Sequence, residues 1–166
     1  STQVLTLFPY TTLFRSHKIE KYLSNTQSKI HPNGYLLQTP ASPHLAAKLD
    51  GIVIDLKKIK EPKTTNHLVV EGAGGILVPL NDTETIAELI QPDYKVIVVS
   101  RHYLGSINHT LLTIEALHQR NIKVAGIIFN GDENQPTETI ILNKTGIKMI
   151  GRINDEPYFD ANVVAE

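Results

Sequence analysis

No cysteine occurs in the 166 residues, which excludes disulfides, a thiolate metal site and a cysteine nucleophile. The same absence fits a reducing compartment, and a cytoplasmic location is expected. No apolar run reaches the ~18 to 20 residues that a bilayer span needs. No secretory leader is expected from the opening residues. Neither charge sign is in excess, since 16 Lys and Arg face 17 Asp and Glu. Nothing electrostatic therefore favours nucleic acid or a membrane surface as a partner. Internal repeats and low-complexity tracts are missing as well. What is present is an ordinary globular composition, long enough for one domain with a hydrophobic core.

The rest of the chain is organised around one stretch. His67-Leu68-Val69-Val70 is a short apolar run with β-branched residues, bounded by Thr64-Thr65-Asn66 and by glycines. It reads as a buried strand. The run ends on Glu71, and Gly72-Ala73-Gly74-Gly75 follows. Glycines allow a tight turn and a close backbone approach to a ligand. A carboxylate at the C-terminal end of a parallel strand sits where open α/β sheets bind ligands. Such an oxygen suits Mg²⁺, which is commonly held by one or two carboxylates and substrate phosphates. The same residues also suit a solvated strand end followed by a turn.

Residues 6–16 resemble the conceptual translation of a common DNA-sequencing adapter. Residues 1–16 are accordingly read as a non-native scar that forms no packed part of the domain, and residues 17–166 as the domain itself. A short amphipathic helix is expected over residues 17–29, then a turn at 31–34 and an extended piece at 35–38. Ser42 is positioned to cap a helix over residues 43–50, with Pro43 at its first position. Residues 51–60 keep helical spacing, and Pro62 breaks the pattern. Asp82 is placed to cap a helix reaching residue 90. Residues 94–99 and 122–129 are near-continuous apolar strands of the kind buried on both faces. Between them, Ile107, Leu111, Ile114 and Leu117 mark a helix over residues 106–119. A helix over 137–144, closed by Gly146, and a strand over 147–153 complete the pattern.

Strands alternating with helices predict an α/β fold, a mostly parallel sheet flanked by helices. Right-handed crossovers would put Glu71, Ser100, Asn130 and Asn154 on one rim. The start of the helix at Gly105-Ser106-Ile107-Asn108 offers free N–H groups to an anion, or is simply capped by its serine. The amide of Asn130 matches the N6/N7 edge of adenine, and Asn130-Gly131 equally suits a turn. Asp82, Glu84 and Glu88 read as a solvated helix face. The seven histidines show no ligand spacing, and no catalytic role is assigned to His109.

Three segments, together with Pro40-Ala41-Ser42-Pro43-His44-Leu45-Ala46-Ala47, resemble the dethiobiotin synthetase family. They are Val70-Glu71-Gly72-Ala73-Gly74-Gly75 with Val78-Pro79-Leu80, residues 104–113 (LGSINHTLLT) and residues 125–130 (AGIIFN). The resemblance covers about residues 17–156, in order and at compatible spacing. It implies a P-loop NTPase-like fold and an ATP- and Mg²⁺-dependent cyclo-ligase that acts as a homodimer. In that family CO₂ adds to an amine of 7,8-diaminononanoate, the carbamate is phosphorylated by ATP, and the second amine closes the ureido ring. By the same resemblance, Glu71 binds Mg²⁺, and Glu71, Gly72, Ala73 and Gly74 lie along the phosphates and the diamine. Asn130 and Gly131 meet the adenine, bordered by Asn154, Asp155 and Glu156. Ser42 and Pro43 flank the substrate chain. Gly105, Ser106, Ile107 and Asn108 bind its carboxylate across the dimer.

Two departures stand out. The family opens with a strand and a Gly-rich loop ending in Gly-Lys-Thr, with a second lysine further on, yet no G-x-x-x-x-G-K-[ST] pattern occurs here. The chain is therefore expected to lack the first strand and the phosphate loop, to retain no assignable catalytic residue and to be inactive as it stands. Asn154 also replaces a proline usual in the family, and no tyrosine occurs in residues 134–142 to hold the substrate carboxylate. Two alternatives compete with this reading. One is another P-loop amidoligase or partitioning-ATPase relative, and the other is a non-enzymatic nucleotide-binding module.

Overall fold

A computed structural model describes residues 2–6, 20–23, 26–72, 74–158 and 160. The chain divides into two compact units. One spans residues 1–89 with 159–166, and the other spans residues 90–158.

The first unit is built on a parallel sheet of three strands: β1 (Thr2–Thr6), β2 (Lys29–His31) and β3 (His67–Glu71), in the order β2-β1-β3. Residues 20–22 are helical, and the rest of the helix expected over 17–29 falls outside the described residues or in irregular chain. The β1 strand pairs with both neighbours, from Thr2 opposite His67 to Thr6 opposite Glu71, and from Gln3 opposite Lys29 to Leu5 opposite His31. This corrects the expectation that nothing in residues 1–16 packs. Thr2–Thr6 forms the middle strand of the sheet, and residues 7–16 lie outside the described residues.

Helix α1 (Pro43–Leu49) follows from Pro43 at the helix start, although the Ser42 side chain makes no capping bond and only its carbonyl closes the turn, to Ala46 N–H at 2.8 Å. Behind it lies the core of this unit: Leu37, Ala46, Ala47, Ile54, Leu80 and Ile86. Two expected helices are single 3₁₀ turns, for local reasons. At Leu56–Lys58 the Tyr35 hydroxyl holds both Asp55 N–H (2.9 Å) and Asp55 C=O (3.2 Å), fixing an extended residue where the helix should run. At Ile86–Leu89 the N–H groups of Ile86 and Ala87 bond back to Val78 and Ile76 carbonyls. Asn81, not Asp82, organises that turn, because its Oδ1 accepts from Thr83 and Glu84 N–H.

Asp50 ties the loop ahead of α1 to the end of that helix. Its carboxylate accepts from the Thr39 hydroxyl (2.5 Å) and from the N–H groups of Gln38 (2.5 Å) and Thr39 (3.3 Å). The Thr39 hydroxyl first, then the Gln38 N–H, hold the Asp50 carboxyl below the usual carboxylate range. A lowered folded value supplies stability above the unfolded titration range and loses it as pH falls through the lowered value. Thr39→Val should therefore move Asp50 titration upward. The two proteins should differ in stability at neutral pH and converge in acid. A carboxyl NMR titration reads the shift, and an unmoved Asp50 would count against this account.

In the second unit β4 (Val96–Arg101), β5 (Val124–Asn130) and β6 (Met149–Ile153) form a parallel sheet in the order β4-β5-β6. Helix α2 (Ser106–Gln119) connects the first pair, and α3 (Gln135–Thr145) connects the second. These are the βαβ units that the alternating pattern predicts. Asn134 caps α3 through Thr137 N–H at 3.2 Å, and Gly146 closes it in a left-handed conformation. Val98, Ile114, Leu117, Ile127, Phe129 and Ile141 are buried, with contributions from every helix and from two strands.

The residues expected on one rim, Glu71, Ser100, Asn130 and Asn154, are divided between the two units. Glu71 ends a strand of the first sheet, and the other three belong to the second unit.

Candidate functional site: two strand rims

At the end of β3, Glu71 is partly exposed and Gly72 turns the chain. A Cβ at Gly72 would lie 3.0 Å from Ile86 Cγ2, so the backbone passes close to the 3₁₀ turn. Gly74 has φ +81°, a conformation that favours glycine, and a Cβ there would lie 3.0 Å from Val78 Cγ2. Val78 N–H then bonds to Gly75 C=O at 3.0 Å, and Pro79 pairs with Thr85. The turn after Glu71 is thus braced from behind by a short antiparallel return. Ala73 lies outside the described residues. On the same unit Ser42 is exposed at the start of α1, and Pro43 is buried under it.

The second rim gathers several of the expected residues. His102 N–H donates to Asn130 C=O at 2.9 Å. The carbonyl of Ile153 accepts from both Gly131 N–H (2.8 Å) and the Asn130 amide Nδ2 (3.3 Å). Asn130 therefore keeps its Oδ1 and one amide proton for another partner. Gly131 has φ +113°, and a Cβ there would meet His102 Cβ at 3.4 Å and Asp155 Oδ2 at 3.8 Å. Asn154, Asp155 and Glu156 follow β6 in exposed chain. Ser100, at the end of β4, is engaged within the fold. It is buried, with its Oγ 2.7 Å from Thr110 Oγ1 of α2.

At the start of α2 the cap is Gly105, not Ser106, and it has no side chain to offer. Ser106 is buried, whereas Ile107 and Asn108 are exposed. His109 is held by a hydrogen bond between its Nδ1 and the Tyr103 hydroxyl.

A family model described as an AAA domain matches residues 10–163. An ATP-dependent dethiobiotin synthetase of Christiangramia forsetii is 56% identical over 151 residues, covering 91% of this chain and 73% of the relative. One from Cytophaga hutchinsonii is 50% identical, covering 90% and 73%. One from Agrobacterium fabrum is 40% identical over 139 residues. The chain belongs to the dethiobiotin synthetase family. The fold is accordingly P-loop NTPase-like, with parallel sheets flanked by helices, as the sequence pattern predicts.

Within that family frame the donor sets can be tested for what they hold. Among the described residues no group of three or more His, Cys, Asp and Glu side chains forms a metal cage. A strand-end carboxylate such as Glu71 is the kind of oxygen ligand that Mg²⁺ takes together with phosphates and water. The half-occupied Asn130 amide fits a purine edge with one donor and one acceptor.

Sequence reasoning missed a cluster behind the second rim. Glu138, in the first turn of α3, is buried and takes Arg152 Nη2 at 2.5 Å on Oε2. Its Oε1 accepts Asn134 N–H at 3.3 Å and lies 3.4 Å from His102 Nε2. Arg152 Nη1 reaches Glu133 at 3.4 Å. The Glu138 carboxylate raises the Arg152 pKa above its usual value. Glu138 and Arg152 are 14 positions apart, on a helix and a strand, so no local spacing announces the pair.

Proposed function

We propose that this chain carries the ATP-dependent ring closure of its family, forming the ureido ring of dethiobiotin from 7,8-diaminononanoate and CO₂ with Mg²⁺. The observation that carries the reading is 56% identity across 91% of the chain to a relative named for that activity. The braced turn after Glu71 and the half-occupied Asn130 amide support it. Glu71 would hold the Mg²⁺, and the backbone of Gly72, Ala73 and Gly74 would lie along the phosphates and the diamine. Asn130 and Gly131 would meet adenine, bordered by Asn154, Asp155 and Glu156. Ser42 and Pro43 would flank the substrate chain. Bound Mg·ATP supplies the phosphoryl group that activates a carboxylated amine. Reactions of this kind rest mostly on positioning and charge neutralisation.

A homodimer belongs to the same proposal. Gly105, Ser106, Ile107 and Asn108 would bind the substrate carboxylate across its two-fold. Tyr103, Leu104, Ile107 and Leu112 are exposed apolar residues around that helix start, and Leu104 is exposed in full. Sedimentation measures the mass directly. A cytoplasmic setting fits the reading, and among the described residues no helix is long and apolar enough to cross a membrane. The adapter-like residues 6–16 are proposed to be non-native.

The 166 residues contain no G-x-x-x-x-G-K-[ST] loop. The charge stabilisation that such a loop gives phosphoryl transfer is worth several kcal/mol. The expected result is no dethiobiotin from these residues alone, with ATP-, Mg²⁺- and CO₂-dependent product once a phosphate loop precedes them. Product from the 166 residues alone would refute the need for the loop. No product from the loop-bearing protein would refute the function.

A further inference from the structure

The buried cluster behind the second rim touches the residues whose backbones hold Asn130. Glu138 is 6% exposed and receives Arg152. Arg152 immediately precedes Ile153, whose carbonyl accepts from both the Asn130 amide and Gly131 N–H. On the other side, Glu138 Oε1 lies 3.4 Å from the His102 ring, and His102 N–H donates to Asn130 C=O. That ring also stacks edge-on against Phe129, the residue before Asn130, at 5.5 Å. The Glu138 carboxylate thus touches side chains at the ends of β4 and β6, whose backbones bond to Asn130 at the end of β5.

Both His102 ring nitrogens and Arg152 Nε are buried without a hydrogen-bond partner among the described residues. What is well satisfied is the backbone around Asn130. Its carbonyl, its amide and the next N–H each have a partner.

We infer that Glu138, acting through Arg152–Ile153 and His102, is a positioning residue for base recognition: it fixes which amide atoms Asn130 presents and thereby sets the preference for adenine over guanine nucleotides. The inference rests on the reading that Asn130 meets the base. With Nδ2 committed to Ile153, one acceptor and one donor face outward, which complements adenine N6–H and N7. Guanine presents acceptors at both corresponding positions. Release of the Ile153 carbonyl frees the amide to flip, and a flipped amide no longer distinguishes the two patterns. The phosphate contacts are unaffected by that change.

The test measures ATP and GTP dissociation constants by calorimetry on the full-length protein and three variants, with thermal melts alongside. Asn130→Ala should lower the ATP-over-GTP preference about tenfold, the usual size of one lost hydrogen bond. Glu138→Gln should lower it by a similar factor while GTP affinity stays within twofold. Arg152→Lys keeps a cation beside Glu138 but not the forked contact, and should lower the preference about threefold. If Glu138→Gln does not fold, Arg152→Lys decides by itself. A preference that survives in the folded Glu138 or Arg152 variant while Asn130→Ala destroys it overturns the positioning role and leaves the adenine site standing. A preference that survives Asn130→Ala overturns the adenine assignment and the positioning role with it.

Discussion

Glu71→Gln should cut the turnover number of the loop-bearing protein about 10²- to 10³-fold, the scale on which removal of one preorganised charge-stabilising group acts. Glutamine keeps the size of glutamate and its place at the end of β3 but loses the negative charge. A hard dication prefers a charged oxygen, so the cation should be held more weakly. The apparent Mg²⁺ requirement should rise together with the fall in turnover. The turn itself should persist, because Gly74 and the return through Val78 and Pro79 brace it. Circular dichroism and melting should therefore match the parent. Asp82→Asn is the matched control, a carboxylate on exposed chain in the same unit, and should leave turnover unchanged. Turnover within threefold of the parent for Glu71→Gln would remove Glu71 from the reaction.

Much of the architecture is legible from pattern alone, and the misses have local causes. Helices α2 and α3 and strands β4, β5 and β6 lie within a few residues of where apolar periodicity puts them. Those elements are long, and their spacing is repeated enough to outweigh side-chain competition. The two short helices fail where a side chain claims the backbone. The Tyr35 hydroxyl grips Asp55, and Asn81 captures Thr83 and Glu84 N–H. These are contacts over 20 residues in the first case and a local turn in the second, and neither leaves a mark in hydrophobic spacing. Strand β2 fails for the opposite reason. Lys29-Ile30-His31 is too short and too polar to carry alternation, and only pairing with β1 defines it.

The site was legible to a different depth. Glu71 at a strand end, the glycine turn and Asn130-Gly131 announce themselves by residue type at a strand boundary. Ser100 was misplaced on the rim because sequence cannot say that Thr110 lies 2.7 Å away and buries it. Ser42 and Ser106 look like caps, yet α1 is closed by a backbone carbonyl and α2 is capped by Gly105. Glu138 was invisible because a glutamate in the first turn of a helix is ordinarily a solvated partner of the helix dipole. Only tertiary structure shows that this one is buried against Arg152.

Removing residues 1–6 should abolish cooperative melting of the 166-residue chain. The β1 strand is the middle one of its sheet, so it serves β2 and β3 at once. It faces β3 along five positions, from Thr2 opposite His67 to Thr6 opposite Glu71, and β2 along three. Without it neither β2 nor β3 has a strand partner among the described residues. Each backbone hydrogen bond lost costs about 0.5 to 1.5 kcal/mol net, and more where the freed group stays buried. Several such losses approach the whole margin of a domain, ~5 to 15 kcal/mol. Bare strands also recruit other chains, so light scattering should rise as structure is lost. The position of this strand decides against the simpler expectation that the whole of residues 1–16 can be trimmed without effect. Trimming can be neutral only where no ladder is broken, and Thr2–Thr6 breaks two. Removing Ser1 alone, which precedes the strand, supplies the comparison. A chain without residues 1–6 that melts within about 2 °C of the intact one, a difference of under 1 kcal/mol for a domain of this size, would show that β1 contributes nothing to the sheet.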